Sequence, residues 1–404
     1  RTALATAVLF LPLIFTASGY GAVPAAEPPA ATITNAEAPS EPLRCEVYDP
    51  DFAESDCSYH GAYYDEETGK VYFSLSAHSI AVWAHIYRFD PKTKKFDLLW
   101  TADRTVPEAD KAHVAQGKIH SPLGSYKGEL IFATHSGHYK TRHLLPDGET
   151  VAKPYKGGYV FAVDKRTGKG RIVAAPLHDR PVTVPFDKGV PMLGEALIST
   201  ALDAERGLFY ALSWPSAIFI KVDLDTGKVS EYGRMQDGGE SVPRHLPPKE
   251  PAEGKKKRRR GPVNPKYQQI LRTLAMDDEG NVYGASGYGT IWKYDREADE
   301  VVHMKSRMEC ATASEQVKKR PAWLNTWRTI VWDDEQKAFY GVHWATSWLF
   351  RFDPKADRIE PVIEWAPAKR RVKDYAQIGL DMGPDRVLYG LVHTPPIKGG
   401  VQRS

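Results

Sequence analysis

The stretch that decides the fold is ISTALDAERGLFYAL at residues 198–212, continued after a five-residue link by IFIKVDLDTGKVSEY at 218–232. Each half is a run of alternating apolar and polar residues, then an aspartate, a short turn, and a second run. A period of two reads as a β-strand, and Asp, Gly and Lys-Thr-Gly between two such runs read as a hairpin turn. Two hairpins in series make four antiparallel strands.

The same unit recurs along the chain. The first hairpin returns as HGAYYDEETGKVYFSL (60–75), RTLAMDDEGNVYGAS (272–286) and RTIVWDDEQKAFYGVH (328–343). It returns more loosely as HSPLGSYKGELIFATH (120–135) and QIGLDMGPDRVLYGLVH (377–393). The second hairpin returns as IYRFDPKTKKFDLL, YVFAVDKRTGKGRIV, IWKYDREADEVVHM and WLFRFDPKADRIEPV. Its aspartates, Asp90, Asp164, Asp223, Asp295 and Asp353, stand 58 to 74 residues apart. Serial four-stranded units with no competing amphipathic helix predict an all-β fold, a β-propeller of four-stranded antiparallel blades. Five full blades and the first hairpin of a sixth are visible. The chain has no initiator Met and stops where the next hairpin should begin, so a parent of about seven blades, clipped at both ends, is the expectation.

The remaining segments frame this body. Residues 1–25 carry the apolar run ALATAVLFLPLIFTA followed by small residues and read as a secretory signal peptide. Residues 26–43, rich in Pro and Ala, read as a disordered linker, and 44–404 as the propeller. A Pro/Gly-rich insertion at 236–267 holds six consecutive basic residues, Lys255–Arg260; it reads as a solvated loop or as an arm for a polyanion. Net charge is only +3, which gives no whole-chain signal for nucleic acid. A secreted or periplasmic monomer, off the membrane after signal cleavage, is expected. The three cysteines are Cys45, Cys57 and Cys310; a local Cys45–Cys57 disulfide and buried thiols both remain open.

The innermost strand of each blade borders the channel, and one register points at its mouth. Five residues before each first-hairpin turn lie His60, His120, Ile198, Arg272 and Arg328, with Ala376 or Gln377 in the last repeat. The ring holds no carboxylate, so it suits an anionic ligand better than a calcium-type axial site. Counting across the turns puts His120 opposite His135 and Arg328 opposite His343. His138, Tyr139, Tyr288 and Trp344 stand just beyond, at loop starts. His78, His113, His178, His245 and His303 fall outside the register and read as ordinary, while His85 and His393 are undecided. The plainer alternative for any ring member is a satisfied polar group bonded to backbone or water.

Arg with His and Tyr, and no acid pair, fits β-elimination from a uronate rather than glycoside hydrolysis. Arginine would neutralise the substrate carboxylate, and His or Tyr would take the adjacent proton and protonate the leaving oxygen. On KIHSP (118–122) and FATHSGHY (132–139) the chain resembles the propeller-fold polysaccharide lyases, the ulvan lyases and more distantly the oligogalacturonate lyases. The resemblance implies that His120 and His138 (or His135) match the paired catalytic histidines, that Tyr139, Tyr159 and Tyr288 compete as the catalytic tyrosine, and that Arg272 or Arg328 neutralises the carboxylate of an acidic polysaccharide or oligosaccharide. The ring and hairpin register adds His60, His343 and Trp344 as candidate substrate-binding residues. A divalent metal is compatible, at His120, His135 and His343, but no HxH or HExxH spacing requires it. The competing reading is a non-catalytic scaffold that binds a glycan or a protein partner. A quinone-dependent dehydrogenase is weaker, since no regular Trp-docking motif is present.

Overall fold

The computed structural model describes residues 48–59, 62–137, 152–184, 190–235, 273–285, 289–308, 326–344, 348–364 and 377–392. The signal peptide, the linker, the basic insertion, Cys45 and Cys310 lie outside the described residues, as do His60, His138, Tyr139, Arg272, Tyr288 and His393. Two compact units are present: residues 49–305, and residues 1–48 with 306–404.

The larger unit is a series of blades. The first is β1 (Ala62–Asp65), β2 (Lys70–Leu75), β3 (His85–Asp90) and β4 (Lys95–Thr101). The second is β5 (Gly124–Tyr126), β6 (Glu129–Ala133), β7 (Val160–Asp164) and β8 (Gly170–Ala174). A small hairpin, β9 (Val182–Val184) and β10 (Val190–Met192), leads to the third blade. That blade is β11 (Ala196–Asp203), β12 (Leu208–Trp214), β13 (Ile218–Asp223) and β14 (Val229–Arg234). The fourth is β15 (Ala275–Met276), β16 (Val282–Ala285), β17 (Thr290–Asp295) and β18 (Glu300–Arg307), whose last strand runs just past the unit's boundary.

The smaller unit holds β19 (Trp327–Asp333), β20 (Ala338–His343), β21 (Trp348–Asp353) and β22 (Arg358–Glu364). It also holds the hairpin β23 (Gln377–Met382) and β24 (Leu388–Val392). In every four-stranded sheet the spatial order equals the chain order. Among the described residues, five such sheets and a further hairpin are blades of a β-propeller, as the repeats predict. Among the described residues there is no α-helix, only 3-10 turns at Ala102–Arg104 and Glu108–Asp110. No helix among them is long and apolar enough to cross a membrane.

The repeat aspartates earn their positions. In the second hairpins the carboxylate accepts from the turn behind it. Asp164 Oδ1 takes the Thr167 N–H at 2.6 Å and its hydroxyl at 2.7 Å, and Asp223 does the same with Thr226, at 2.8 Å each. Those bonds hold both carboxyls below the usual range. The glycine that follows is required twice over. Gly168 and Gly227 have φ of +70° and +71°, and a Cβ there would meet the Leu99 carbonyl oxygen at 2.1 Å and that of Val173 at 2.6 Å. Each glycine therefore lets its turn seat against the last strand of the preceding blade.

Aromatic and aliphatic side chains fill the space between neighbouring sheets. Trp100 of the first blade packs on Phe132 and Phe161 of the second, with ring centroids 5.2 and 5.1 Å away. Phe219 of the third meets Trp292 of the fourth at 5.1 Å. Charge on buried carboxylates also joins neighbouring sheets. Lys165 Nζ donates to Asp65 Oδ1 at 2.9 Å with both side chains nearly inaccessible, and Arg386 donates to both oxygens of the buried Asp333 at 2.8 and 2.7 Å.

Candidate functional site

Inner hairpins carry the predicted residues, and their registers differ from simple counting. Between β19 and β20, Trp327 pairs with His343 and Thr329 with Val342, which leaves Arg328 as a β-bulge. Trp327, not Arg328, is thus opposite His343. The same bulge occurs at Ile198 between β11 and β12, and at Ile378 between β23 and β24. The counterpart in the last repeat is therefore Ile378 rather than Ala376 or Gln377. A bulge places two residues against one and re-aims the side chain, so counting from the turn fails past it.

The second blade departs further. The β5–β6 register, continued upward, would oppose His120 and His135, but His135 pairs instead with Lys118. Pro122 has no N–H for the ladder. Ser121 replaces it with its side chain, whose hydroxyl donates to the Ala133 carbonyl at 3.1 Å and accepts the Ala133 N–H at 2.9 Å. The two imidazoles still meet, with centroids 4.5 Å apart.

Around them the larger unit assembles a cluster that counting did not reveal. The Tyr59 ring stacks on His120 at 3.7 Å, and His135 lies 5.4 Å from the Trp214 ring. The Tyr59 hydroxyl is 2.9 Å from Nε2 of His78, and Nδ1 of His78 is 2.9 Å from Asp56 Oδ1. Cys57 Sγ lies 3.6 Å from that Nδ1. The backbone fixes these partners. Cys57 and Ser76 exchange N–H···O bonds of 3.3 and 2.9 Å, which ties the segment before β1 to the end of β2, where His78 follows. His78, read from the sequence as ordinary, is the centre of the group. It sits three residues beyond the repeat position that His135 and His343 share, so only the long-range bridge identifies it.

Electrostatics separate these groups. Burial raises the Asp56 carboxyl, but hydrogen bonds from Cys57 and His78 outweigh it and hold the group below its usual value. Burial, reinforced by Asp56, pushes the Cys57 thiol up to about 12. Lys118, itself buried, opposes that rise. His120 and His135 are only 4% and 1% exposed, whereas Tyr59 is partly accessible, so solvent reaches the cluster from the Tyr59 side.

Tyr159 belongs elsewhere. Its hydroxyl donates to Asp110, which also pairs with Lys156 at 2.6 Å, and its ring meets His178 at 4.4 Å. Burial and the Asp110 carboxylate raise its phenol far above the usual value, which removes it as a proton acceptor. In the smaller unit, the Arg328 guanidinium lies 5.1 Å from the Trp344 ring centroid, a cation–π contact. His343 beside it is 2% exposed, and burial lowers its pKa to about 4.

No family model matches the chain, and no curated protein matches it. Among solved structures it is similar to the Dos1 propeller at 9% identity and a TM-score of 0.46, covering 83% of this chain and 66% of that one. It is likewise similar to Sqt1 of Saccharomyces cerevisiae at 10% identity and a TM-score of 0.46, covering 82% and 68%. A luciferin-regenerating enzyme is similar at 9% identity and a TM-score of 0.40, covering 80% and 79%.

Proposed function

We propose that the protein is a secreted lyase that cleaves a uronate-containing polysaccharide by β-elimination, as its likeness to the propeller lyases implies. The observation that carries the reading is the stacking of Tyr59 on His120, with the phenol hydroxyl 2.9 Å from His78. In this reading Tyr59, as phenolate, removes the proton on the carbon beside the substrate carboxylate. His78, held by Asp56, donates from Nε2 to the phenolate oxygen and stabilises it. The C–H electrons form the carbon–carbon double bond and the glycosidic C–O bond breaks. The departing oxygen takes a proton from an imidazole of the His120/His135 pair. Lys118 contributes positive charge toward the bound carboxylate.

The near-complete burial of His120 and His135 favours a second reading, a non-catalytic scaffold for a glycan or protein partner in which the two rings are packing groups. Incubation with ulvan, polygalacturonate and glycosaminoglycans, followed by ultraviolet absorbance of the conjugated product, separates the two. The lyase reading expects a signal on one polymer, reduced roughly 100-fold or more in Tyr59→Phe and His120→Ala. A folded chain that produces no unsaturated ends from any uronate polymer leaves the scaffold.

A further inference from the structure

Three donor atoms converge at the edge of the first blade. A carboxylate oxygen of Asp56, Sγ of Cys57 and a ring nitrogen of His78 all lie within 4.8 Å of one another. We propose that Asp56, Cys57 and His78 bind a divalent transition metal of the zinc class, at a place other than the His120, His135 and His343 set and sharing Asp56 and His78 with the lyase reading. The proposal does not depend on lyase activity.

The spacing fits a shared ion. Two ligands bound tetrahedrally to zinc at bond lengths of about 2.3 Å for sulfur and 2.05 Å for nitrogen stand about 3.5 Å apart. The Cys57 Sγ to His78 Nδ1 separation is 3.6 Å. Nδ1 also faces Asp56 at 2.9 Å, so one ring nitrogen is approached by a thiol and a carboxylate together. In the metal-free chain the Cys57 thiol and the His78 ring both donate to Asp56, and a cation bound between the three groups takes the place of those protons.

The surrounding bonds are those a metal-bound histidine requires. Nε2 of His78 is occupied by the Tyr59 hydroxyl at 2.9 Å, which fixes the ring and directs the Nδ1 lone pair to the ion. The His78 backbone N–H holds both Asp56 oxygens, at 3.1 and 3.3 Å. The Cys57–Ser76 ladder locks the two ligand-bearing segments together. Sulfur and imidazole donors select zinc, cobalt or copper over calcium or magnesium, which take oxygen. Three protein donors leave one tetrahedral position, and the half-exposed Asp56 and His78 side chains open it to solvent. A metal on Nδ1 makes Nε2 the N–H donor to Tyr59, so the ion also sets the polarity of that phenol.

The test is cobalt(II) titration of the purified, chelator-stripped full chain, read by the thiolate-to-cobalt charge-transfer band. A band that saturates at a single equivalent and is bleached by zinc is expected. Cys57→Ser should abolish it. Tyr59→Phe should keep the band and weaken affinity about 10-fold, and His78→Ala, which leaves every thiol in place, should weaken it about 100-fold or more. No band in the wild-type chain, a band that survives Cys57→Ser, or unchanged affinity in His78→Ala overturns the site. A chain that binds cobalt yet eliminates no uronate retires the lyase reading and keeps the metal.

Discussion

His343 shows how much one buried imidazole can shape behaviour. Its neutral form is the one its surroundings accept, since burial lowers its pKa from 6.5 to about 4. The folded state therefore binds fewer protons than the unfolded chain between those values. Stability attributable to this group is complete above pH ~6.5 and is lost as pH falls toward 4, by on the order of 3 kcal/mol. Denaturant midpoints taken from pH 7 down to 4.5 should show a shallower acid limb in His343→Gln than in the parent. An identical limb would show that another group governs acid sensitivity. Tyr59 is the contrasting residue. It is partly accessible, it touches His120 through its face and His78 through its hydroxyl, and both readings of the site converge on it.

Among the elements, the second-hairpin turns are the most constrained. Gly168→Ala must both hold a left-handed φ and push against the Leu99 carbonyl, whereas Gly69→Ala, at φ +63°, meets nothing within 4 Å. Thermal or chemical unfolding should report about 1 kcal/mol for Gly69→Ala and about 3 kcal/mol for Gly168→Ala. Equal losses would mean that the close approach is relieved without cost. These turns were legible in the sequence because their information is local: Asp164, Thr167 and Gly168 define the turn within five residues. The strand order followed, since consecutive hairpins leave little else to pair. The site was legible only in part. His120 and His135 were found together, but the bulges at Ile198, Arg328 and Ile378 depend on the partner strand and are invisible to counting. Ser121 standing in for a ladder bond is equally non-local. His78 and Tyr59 were missed because a bridge between Cys57 and Ser76, not a repeat position, brings them together.

At the scale of the molecule, apolar packing joins neighbouring blades within each unit, and a cation on a buried carboxylate joins the first blade to the second and the fifth to the sixth. The Asp65–Lys165 pair links the first two sheets, and Lys165 also reaches the exposed Glu67 at 2.7 Å. Lys165→Met would leave the Asp65 carboxylate buried without its cation, at a cost of about 3 kcal/mol. Urea denaturation of the two proteins measures it. A loss below about 1 kcal/mol would mean that Thr68, which donates its backbone N–H to Asp65 at 3.0 Å, suffices alone. The repeated bulge has a consequence of another kind. Below it the hairpin is fixed by its turn aspartate; above it the strand has already stepped out of phase, so side chains at the rim are no longer bound to the alternation of the sheet. In the hairpins of the third, fifth and sixth blades the bulged position carries Ile198, Arg328 and Ile378 over a regular ladder below it, so the residue type at that position varies while the register beneath does not.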